Sequence, residues 1–257
     1  MEAPAGIGAT TGIRASAVVR RLAACVAAGA LAGLVVGGIG GRLAMLVLRL
    51  TSSPNLHGLT TDDGFTIGIV SAQTGFLLMV TTLLGATVGA GYLVVRGWLP
   101  ERSRPWLAGA LGALVGGARI LRPEGIDFTL LDPLPLAIAM FVAIPAGVGV
   151  ATTMLAERFL RDGSVFARSR LAFVSLVLLL PVVPIALSGA RGPVGGSLTV
   201  AVLAIIAIVT LVAVGVRRGT LGRIWASEPV VWLGRAVLAA AAVASSVELA
   251  RDVSSIL

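Results

Sequence analysis

The sequence contains no lysine, one cysteine, one histidine and one tyrosine among its 257 residues. Without a lysine amine, the chain cannot form the Schiff base on which retinal or pyridoxal phosphate chemistry depends. Cys25 has no second cysteine for an intrachain disulfide, and we expect no metal site built on cysteine. The single His57 likewise excludes a histidine-rich metal site and a haem held by two histidines. We therefore expect neither a metal nor a cofactor.

Charged residues are scarce as well, at 12% of the chain, whereas 57% of the residues are hydrophobic and the mean hydropathy is +1.00. An average soluble domain has about 25% charged residues, and this chain has too little polar material to cover a soluble surface. Composition therefore indicates an integral membrane protein surrounded by a lipid bilayer. The net charge of +8 comes from arginines scattered between apolar runs. This pattern is typical of the flanks of membrane spans, so we expect no nucleic-acid partner.

Several motifs of membrane enzymes are missing. The sequence has no Gly-Lys-Ser or Gly-Lys-Thr phosphate loop, which excludes a P-loop ATPase site on this chain. No predicted span carries an aspartate, which argues against an intramembrane aspartyl protease. An intramembrane serine protease that uses histidine as its base would lack that histidine. We identify no catalytic residue and favour a role other than that of an enzyme.

Seven apolar stretches approach or reach the length of about 20 residues that a helix needs to cross a bilayer. The sequence therefore predicts an all-α polytopic bundle of about seven spans over residues 18–257, preceded by a flexible cytoplasmic tail over residues 1–17. The third stretch is short, and the second is longer than a crossing requires. The predicted spans cover roughly residues 20–42, 66–95, 105–121, 133–155, 171–188, 197–216 and 229–250.

The distribution of arginine predicts the orientation of this bundle. Thirteen arginines fall on one side of the seven predicted spans and six on the other, and Arg235 lies within a span. The positive-inside rule places the side with thirteen arginines in the cytoplasm. We therefore expect a plasma-membrane protein with a cytoplasmic N-terminus and, after seven crossings, an extracytoplasmic C-terminus.

Three spans end alike, with small residues followed by Arg42, Arg119 or Arg191. After the first of these ends comes Asp-Gly-Phe-Thr at 63–66, and after the second comes Ile-Asp-Phe-Thr at 126–129. We interpret this pattern as repeated helical hairpins followed by a final helix. All the hairpins would start on the cytoplasmic side, so the repeat would be parallel. A chance resemblance between glycine-rich spans is the alternative interpretation.

Glycines recur at intervals of four residues in the first three spans. On a helix, this spacing places them on one face, where small residues let neighbouring backbones approach closely. Packing within the chain is one use of such a face. A glycine-lined pore, a homo-oligomer and contact with another membrane protein are the others. The glycines are Gly29, Gly33, Gly37 and Gly41 in the first span, Gly85 and Gly89 in the second, and Gly112 and Gly116 in the third.

Charged residues of both signs concentrate at the predicted outer ends of the first four spans. Arginine there would bind an anionic group, and the carboxylates would orient the arginine or hold a cation. The alternative is that arginine–aspartate pairs only pin the two outer loops together. Glu248, near the outer end of the last span, is a further candidate because it would lie near Arg42 or Arg119. The candidate ligand-binding residues are Arg42, Asp62, Asp63, Arg119, Arg122, Asp127 and Glu248.

Three functions remain open from the sequence. A small-solute or ion transporter or channel, or a membrane receptor for a small ligand, would use the outer charged site and the prolines within the spans. An accessory or scaffolding subunit of a membrane complex would use the glycine faces and fits the near-absence of charge at mid-membrane. An enzyme or binder of lipid-linked phosphate would use the outer arginines, although the chain offers no evident nucleophile.

Overall fold

The computed structural model describes residues 7–52, 72–121, 123, 133–164, 166, 176–177, 225 and 227–256. Within these ranges every regular element is a helix and no strand occurs, so the prediction of an all-helical fold is confirmed for them. The α-helices are α1 (Ile7–Ala32), α2 (Gly41–Thr51), α3 (Ala72–Val95), α4 (Arg104–Leu111), α5 (Gly117–Ile120), α6 (Leu134–Phe159) and α7 (Glu228–Ile256). A short 3₁₀ turn, Glu101–Ser103, precedes α4.

Two segments of π-helix join some of these helices into longer rods. The segment π1 (Gly33–Gly40) links α1 to α2, and π2 (Gly112–Gly116) links α4 to α5. The backbone keeps right-handed helical angles at both ends of each π segment. The chain therefore forms one unbroken rod over residues 7–51 and another over residues 104–120.

Four of these helices are long and apolar enough to cross a membrane, namely Ala17–Thr51, Thr74–Val95, Leu134–Phe159 and Glu228–Ile256. By length and composition, these four helices are candidate membrane spans, which supports a multi-pass membrane protein. They lie over the first, second, fourth and seventh predicted spans. The third predicted span is the rod of α4, π2 and α5, whose parts hold only eight, five and four residues. The fifth and sixth predicted spans lie outside the described residues.

The first rod begins earlier than the sequence pattern suggests. Helix α1 starts at Ile7, inside the segment 1–17 that we predict to be a tail, so residues 7–17 are its first turns. The flexibility of this segment and its cytoplasmic location stay predictions. Elsewhere prolines stand where helices begin: Pro105 lies in the first turn of α4, and Pro133 directly precedes α6. Proline fits such positions because the first amides of a helix have no helical partner.

The first rod lies at the centre of the described helices. Of its most apolar 18 residues 67% are buried, against 6% in α7, and the run 22–30 is buried without interruption. Helix α7 buries only Gly234 completely and exposes large apolar side chains such as Trp232 and Val243. The chain therefore packs around α1 and presents α7 as an apolar outer surface of the kind that contacts lipid.

Helices α1 and α3 touch backbone to backbone along a glycine seam. A methyl group added at Gly29 would overlap the carbonyl oxygen of Gly85, and one added at Gly33 would overlap that of Thr81. From the other side, a methyl group at Gly89 would overlap the carbonyl oxygen of Cys25. The glycine spacing is therefore used, along this seam, for packing inside the chain. We call α1, π1, α2 and α3 together hairpin 1.

A second seam joins the rod of α4, π2 and α5 to α6. A methyl group added at Gly112 would overlap the carbonyl oxygen of Pro145, and one added at Gly149 would overlap that of Ala108. At Gly116 the added methyl would meet the ring of Pro145 itself. Pro145, within α6, is thus packed against Gly112 and Gly116, where a larger residue on the facing rod would collide with it. We call α4, π2, α5 and α6 together hairpin 2.

Candidate functional site

The outer site expected from the sequence is only partly described. Arg42 lies in the first turn of α2, and its guanidinium donates a hydrogen bond to the hydroxyl of Thr74 on α3. Arg119 and Glu248 are both exposed, on α5 and α7. No ion pair joins Glu248 to Arg42 or Arg119 within the described part of the chain. The other candidates, Asp62, Asp63, Arg122 and Asp127, lie outside the described residues.

The helices that carry Arg42, Arg119 and Glu248 nevertheless meet at one end of the bundle. Buried Leu48, Leu121 and Ala137 form an apolar cluster there, and Leu249 of α7 packs against it. Leu249 also lies 3.6 Å from a methyl group built on Gly117. The structure therefore brings the elements of the expected site together, and the ligand-binding role of its residues stays a prediction.

A different charged site lies at the opposite end of the same helices. Glu157, in the last turn of α6, receives hydrogen bonds from Tyr92, Arg96 and Arg104. Tyr92 lies in the last turn of α3, Arg96 directly follows this helix on the same hairpin, and Arg104 begins α4. We call these four residues the Glu157 clasp, and their end of the bundle the Arg96 end. The sequence analysis did not identify this site.

The geometry of the Glu157 clasp is that of a carboxylate held in a guanidinium fork. Arg96 donates from Nε to Oε1 at 2.7 Å and from Nη2 to Oε2 at 2.9 Å. The Tyr92 hydroxyl donates to Oε1 at 2.6 Å, and Nη1 of Arg104 lies 3.3 Å from the same oxygen. Paired, charge-assisted bonds of this kind are stronger and more directional than single neutral ones.

The second guanidinium of the clasp is the more deeply buried one. The side chain of Arg104 is 10% exposed, against 33% for Arg96. Its Nε donates to the carbonyl oxygen of Leu99 at 3.3 Å, and its Nη2 lies 3.5 Å from Glu101, whose side chain is 83% exposed. An exposed pair of this kind contributes little, so Glu157 is the main counter-charge of both arginines.

The hydrogen bond to Glu157 raises the pKa of Arg96 above its ordinary value, although burial of the guanidinium works in the opposite direction. Because that ordinary value is already far above neutrality, Arg96 stays protonated at every physiological pH. The Glu157 clasp therefore contains a fixed positive charge, and only the carboxylate or a competing anion can change its state.

Small side chains lie beside the clasp on the side of the bundle core. Cys25 and Ala28 of α1 form a buried cluster with Tyr92, Leu99 and Ala156. Cys25 and Ala156 are both 0% exposed. The thiol of the only cysteine is thus buried beside Tyr92, a member of the Glu157 clasp.

Two threonines of α6 add polar atoms next to this cluster. Thr152 and Thr153 are buried, and neither hydroxyl has a hydrogen-bond partner among the described residues. Thr153 lies one turn before Glu157, on the same face of the helix. A buried hydroxyl without a hydrogen-bond partner destabilises the folded protein by about 1–3 kcal/mol. These two hydroxyls are therefore available to bind a water molecule or a polar solute.

Tryptophans surround the Arg96 end. Trp98 stacks on Trp225 with ring centroids 5.2 Å apart, and its ring covers Gly234 of α7. Arg235 donates from Nε to the carbonyl oxygen of Trp98 at 2.9 Å and lies 5.4 Å from the ring centre of Trp232. Trp106, the fourth tryptophan of the chain, is 75% exposed at the start of α4. All four tryptophans therefore lie at this one end.

Sequence reasoning missed the Glu157 clasp because its members are far apart in the chain. Glu157 is 61 positions from Arg96 and 53 from Arg104. The one available signal was Tyr92 and Arg96, which share a helix face at the end of a span, together with an acid at the corresponding end of another span. From the sequence, Arg96 and Arg104 contribute only to the count of arginines that predicts the orientation.

The clasp can hold or release one anionic group and contains no evident nucleophile or metal ligand set. Among the described residues, no group of three or more His, Cys, Asp or Glu is placed to bind a metal ion. No protein-family model matches this chain, and neither a curated protein nor a solved structure is significantly similar to it.

Proposed function

We propose that this chain is a small-solute or ion transporter of the plasma membrane, and that the Glu157 clasp closes its cytoplasmic end. The observation that carries the proposal is that Glu157 of hairpin 2 is bound by Tyr92 and Arg96 of hairpin 1. An ionic link between two packed hairpins is suited to open and close while each hairpin stays intact. Rocking of one repeat against another is a common means of alternating access.

Each hairpin is rigid because its seam is made of backbone atoms. The seams also correspond residue by residue. A methyl group built on Gly33 would overlap the Thr81 carbonyl, and one built on Gly112 would overlap the Pro145 carbonyl. The two glycines are 79 positions apart in the chain, and the two carbonyl residues are 64 positions apart. The same two offsets relate Gly29 and Gly85 to Ala108 and Gly149. This correspondence supports the repeated hairpins that the sequence pattern predicts.

Contact between the two hairpins is made by side chains instead. Val36 of π1 approaches Gly147 of α6, and Val148 lies 3.6 Å from a methyl group built on Gly37. Methyl groups can slide past one another with small rotamer changes, whereas overlapping backbones cannot. The boundary between the hairpins is therefore the one along which side chains can slide, and the Glu157 clasp lies on it.

Arg104 gives Glu157 a partner that does not depend on this boundary. Arg104 and Glu157 both belong to hairpin 2, so their contact would persist if Arg96 moved away. A second partner is important because a buried carboxylate without a counter-charge destabilises the folded protein by several kcal/mol. With two arginines to choose from, Glu157 can leave hairpin 1 without losing every counter-charge.

The Trp-rich Arg96 end fits a membrane interface on the cytoplasmic side. Tryptophan is enriched where headgroups meet the hydrocarbon core, and arginine is enriched in cytoplasmic loops. Arg20, Arg21, Arg102, Arg158 and Arg161 are exposed in the described part of the same end. We keep the prediction of seven crossings and a cytoplasmic N-terminus, with the helix 104–120 as the third crossing.

The native Cys25 makes this proposal testable with the protein as it exists. In nanodiscs, opening of the clasp would expose its thiol to a charged methanethiosulfonate reagent. We expect Glu157→Gln to react about tenfold faster than the wild type, because loss of the carboxylate charge weakens the link to Arg96. Arg158→Gln is the matched control, since Arg158 is the next residue, is exposed and makes no ion pair in the described ranges.

Transport itself requires a flux measurement. Proteoliposomes would be tested for passage of protons, sodium, potassium, chloride and small organic acids, with protein-free liposomes as the reference. We expect flux of at least one probe, and a changed rate in Glu157→Gln but not in Arg158→Gln. An unreactive Cys25 in Glu157→Gln, together with no flux of any probe, would refute the proposal.

A scaffolding or accessory subunit is the second candidate, favoured by helix α7. This 29-residue helix exposes Trp232, Leu233, Val237 and Val243 and buries little of itself. Such a surface suits another membrane protein as well as lipid. If Cys25 and the flux assay fail as described, while Val237→Trp removes a co-purifying membrane protein, this second function would replace the first.

A further inference from the structure

We infer that the Glu157 clasp is also an anion-binding site, in which a short-chain monocarboxylate replaces the side chain of Glu157. This inference rests on the proposed transport function and names its substrate class. In the closed state, Glu157 occupies the site as a tethered carboxylate. A free carboxylate that takes its place would remove the link that Glu157 of hairpin 2 makes to hairpin 1 and leave only the untethered anion between Arg96 and Arg104, so this end would open more readily.

The donor arrangement fits a planar carboxylate. The Nε and Nη2 atoms of Arg96 each meet a different oxygen, at 2.7 and 2.9 Å, as two parallel bonds. The Tyr92 hydroxyl and Arg104 then both approach Oε1, at 2.6 and 3.3 Å. A free carboxylate can reproduce all four contacts with its two oxygens, whereas a chloride ion offers one acceptor atom to both donors of the fork.

The charge balance also favours an anion. Two guanidiniums converge on one carboxylate, and the other nearby acid, Glu101, is largely exposed to water. The deeper guanidinium, that of Arg104, is additionally fixed by the carbonyl oxygen of Leu99. When Glu157 is withdrawn, two buried or half-buried positive charges are left facing one vacant place, which favours a negatively charged ligand.

The space that the Glu157 side chain leaves limits the size of that ligand. Cys25, Ala28 and Ala156 pack next to Tyr92, and all three are small. A methyl or ethyl group has apolar atoms to lie against there. An amino acid is disfavoured, because its ammonium group would lie close to the positive charges of Arg96 and Arg104. Formate, acetate and propionate are therefore the expected class.

Competition with Glu157 sets the concentration range. A group tethered beside its site has an effective concentration in the millimolar range or above. A free carboxylate therefore needs to reach millimolar concentrations in the wild-type protein. Without the Glu157 carboxylate it should bind at lower concentration.

The first test uses Glu157→Ala, which removes the tethered carboxylate and leaves a gap of about the size of the group removed. Its melting temperature in nanodiscs would be measured with sodium formate, acetate, propionate, chloride and sulfate at equal ionic strength. We expect the carboxylates to recover at least half of the loss in melting temperature, and chloride to recover little. The double variant Glu157→Ala with Arg96→Gln should show no such recovery, because the fork is absent.

The second test uses the wild-type chain and needs no altered residue. Acetate at about 10–50 mM, a range set by the millimolar tether, should increase the rate of Cys25 modification severalfold over chloride. Arg96→Gln should remove this dependence on acetate, and Arg158→Gln should keep it. The rate of Cys25 modification tests the anion site even if Glu157→Ala does not fold.

The outcomes separate this inference from the function on which it rests. If Glu157→Gln exposes Cys25 but no carboxylate accelerates wild-type modification or restores Glu157→Ala, the clasp is a gate without an anion site. If sulfate acts as strongly as acetate in both arms, the site selects charge only and the assignment to carboxylates is overturned. If Cys25 is unreactive throughout, the proposed gate itself fails.

Discussion

Replacement of Gly33 by alanine tests the physical basis of the fold most directly. The added methyl group would overlap the carbonyl oxygen of Thr81 and lie 2.9 Å from the Cα atom of Gly85. Both neighbours are backbone atoms, so no side chain can rotate away. Helices α1 and α3 must therefore move apart, by about 1 Å if normal contact distances are to be restored.

The size of the effect follows from that displacement. A gap of about 0.5–1 Å removes a quarter to a half of the dispersion energy between facing atoms, and overpacking of a core costs about 1–3 kcal/mol. Alanine is a better helix former than glycine by about 1 kcal/mol, which offsets part of the loss. We expect the free energy of unfolding to fall by about 2 kcal/mol, which lowers the melting temperature by roughly 4–8 °C.

Gly91→Ala provides the matched control on α3. Nothing lies within 4 Å of a methyl group at Gly91, so only the gain in helix propensity applies. Its melting temperature should be unchanged or higher by up to about 4 °C. Melting would be followed in detergent by a maleimide dye that fluoresces on reaction with Cys25, which is buried in the native protein. Equal shifts for Gly33→Ala and Gly91→Ala would refute the reasoning.

Further predictions concern the second seam and the clasp. Gly112→Ala should lower the melting temperature as Gly33→Ala does, whereas Gly97→Ala, in open space, should not; equal behaviour of the two would remove the argument for paired seams. Arg104→Gln should lower the free energy of unfolding by about 1–3 kcal/mol, because it removes a buried partner of Glu157, whereas Arg102→Gln should change it little. The pKa of Arg96 is higher in the folded than in the unfolded protein, so its positive charge stabilises the fold at every pH below the unfolded value. This stabilisation is lost only as pH rises through the folded value, which is higher still. Melting temperature should therefore stay level from pH 7 to 10, and a decline in that window that Arg96→Gln abolishes would contradict this assignment.

The sequence was informative about packing because glycine spacing reports directly on helix contact. Gly29, Gly33, Gly112 and Gly116 were predicted to lie on helix faces that approach other helices, and each meets backbone or proline atoms. The four long apolar helices were recognisable for the same kind of reason, since length and hydropathy decide whether a helix can span a bilayer. The partner of each seam was not predictable, because spacing identifies a face but not what lies against it.

The candidate site was harder to predict. Arginines attract attention at helix ends, yet their number alone does not show which of them finds a carboxylate. Arg96 and Arg104 were assigned to orientation only, although both converge on Glu157. That convergence depends on how α3 and α4 lie against the end of α6, a tertiary relation with no local sequence signal. The outer residues stood out in sequence because both charge signs lie close together along the chain.

The π segment between α1 and α2 separates two tasks of one rod. In an α-helix each residue turns by about 100°, so any insertion or deletion rotates everything beyond it. The wider π1 turn lets the glycine face of α1 and the direction of Arg42 be set independently. Removing one residue from Gly33–Gly40 would leave the contact of Gly29 with Gly85 in register and turn Arg42 away from Thr74. The number of residues in π1 therefore sets the rotation of α2 about the axis that it shares with α1.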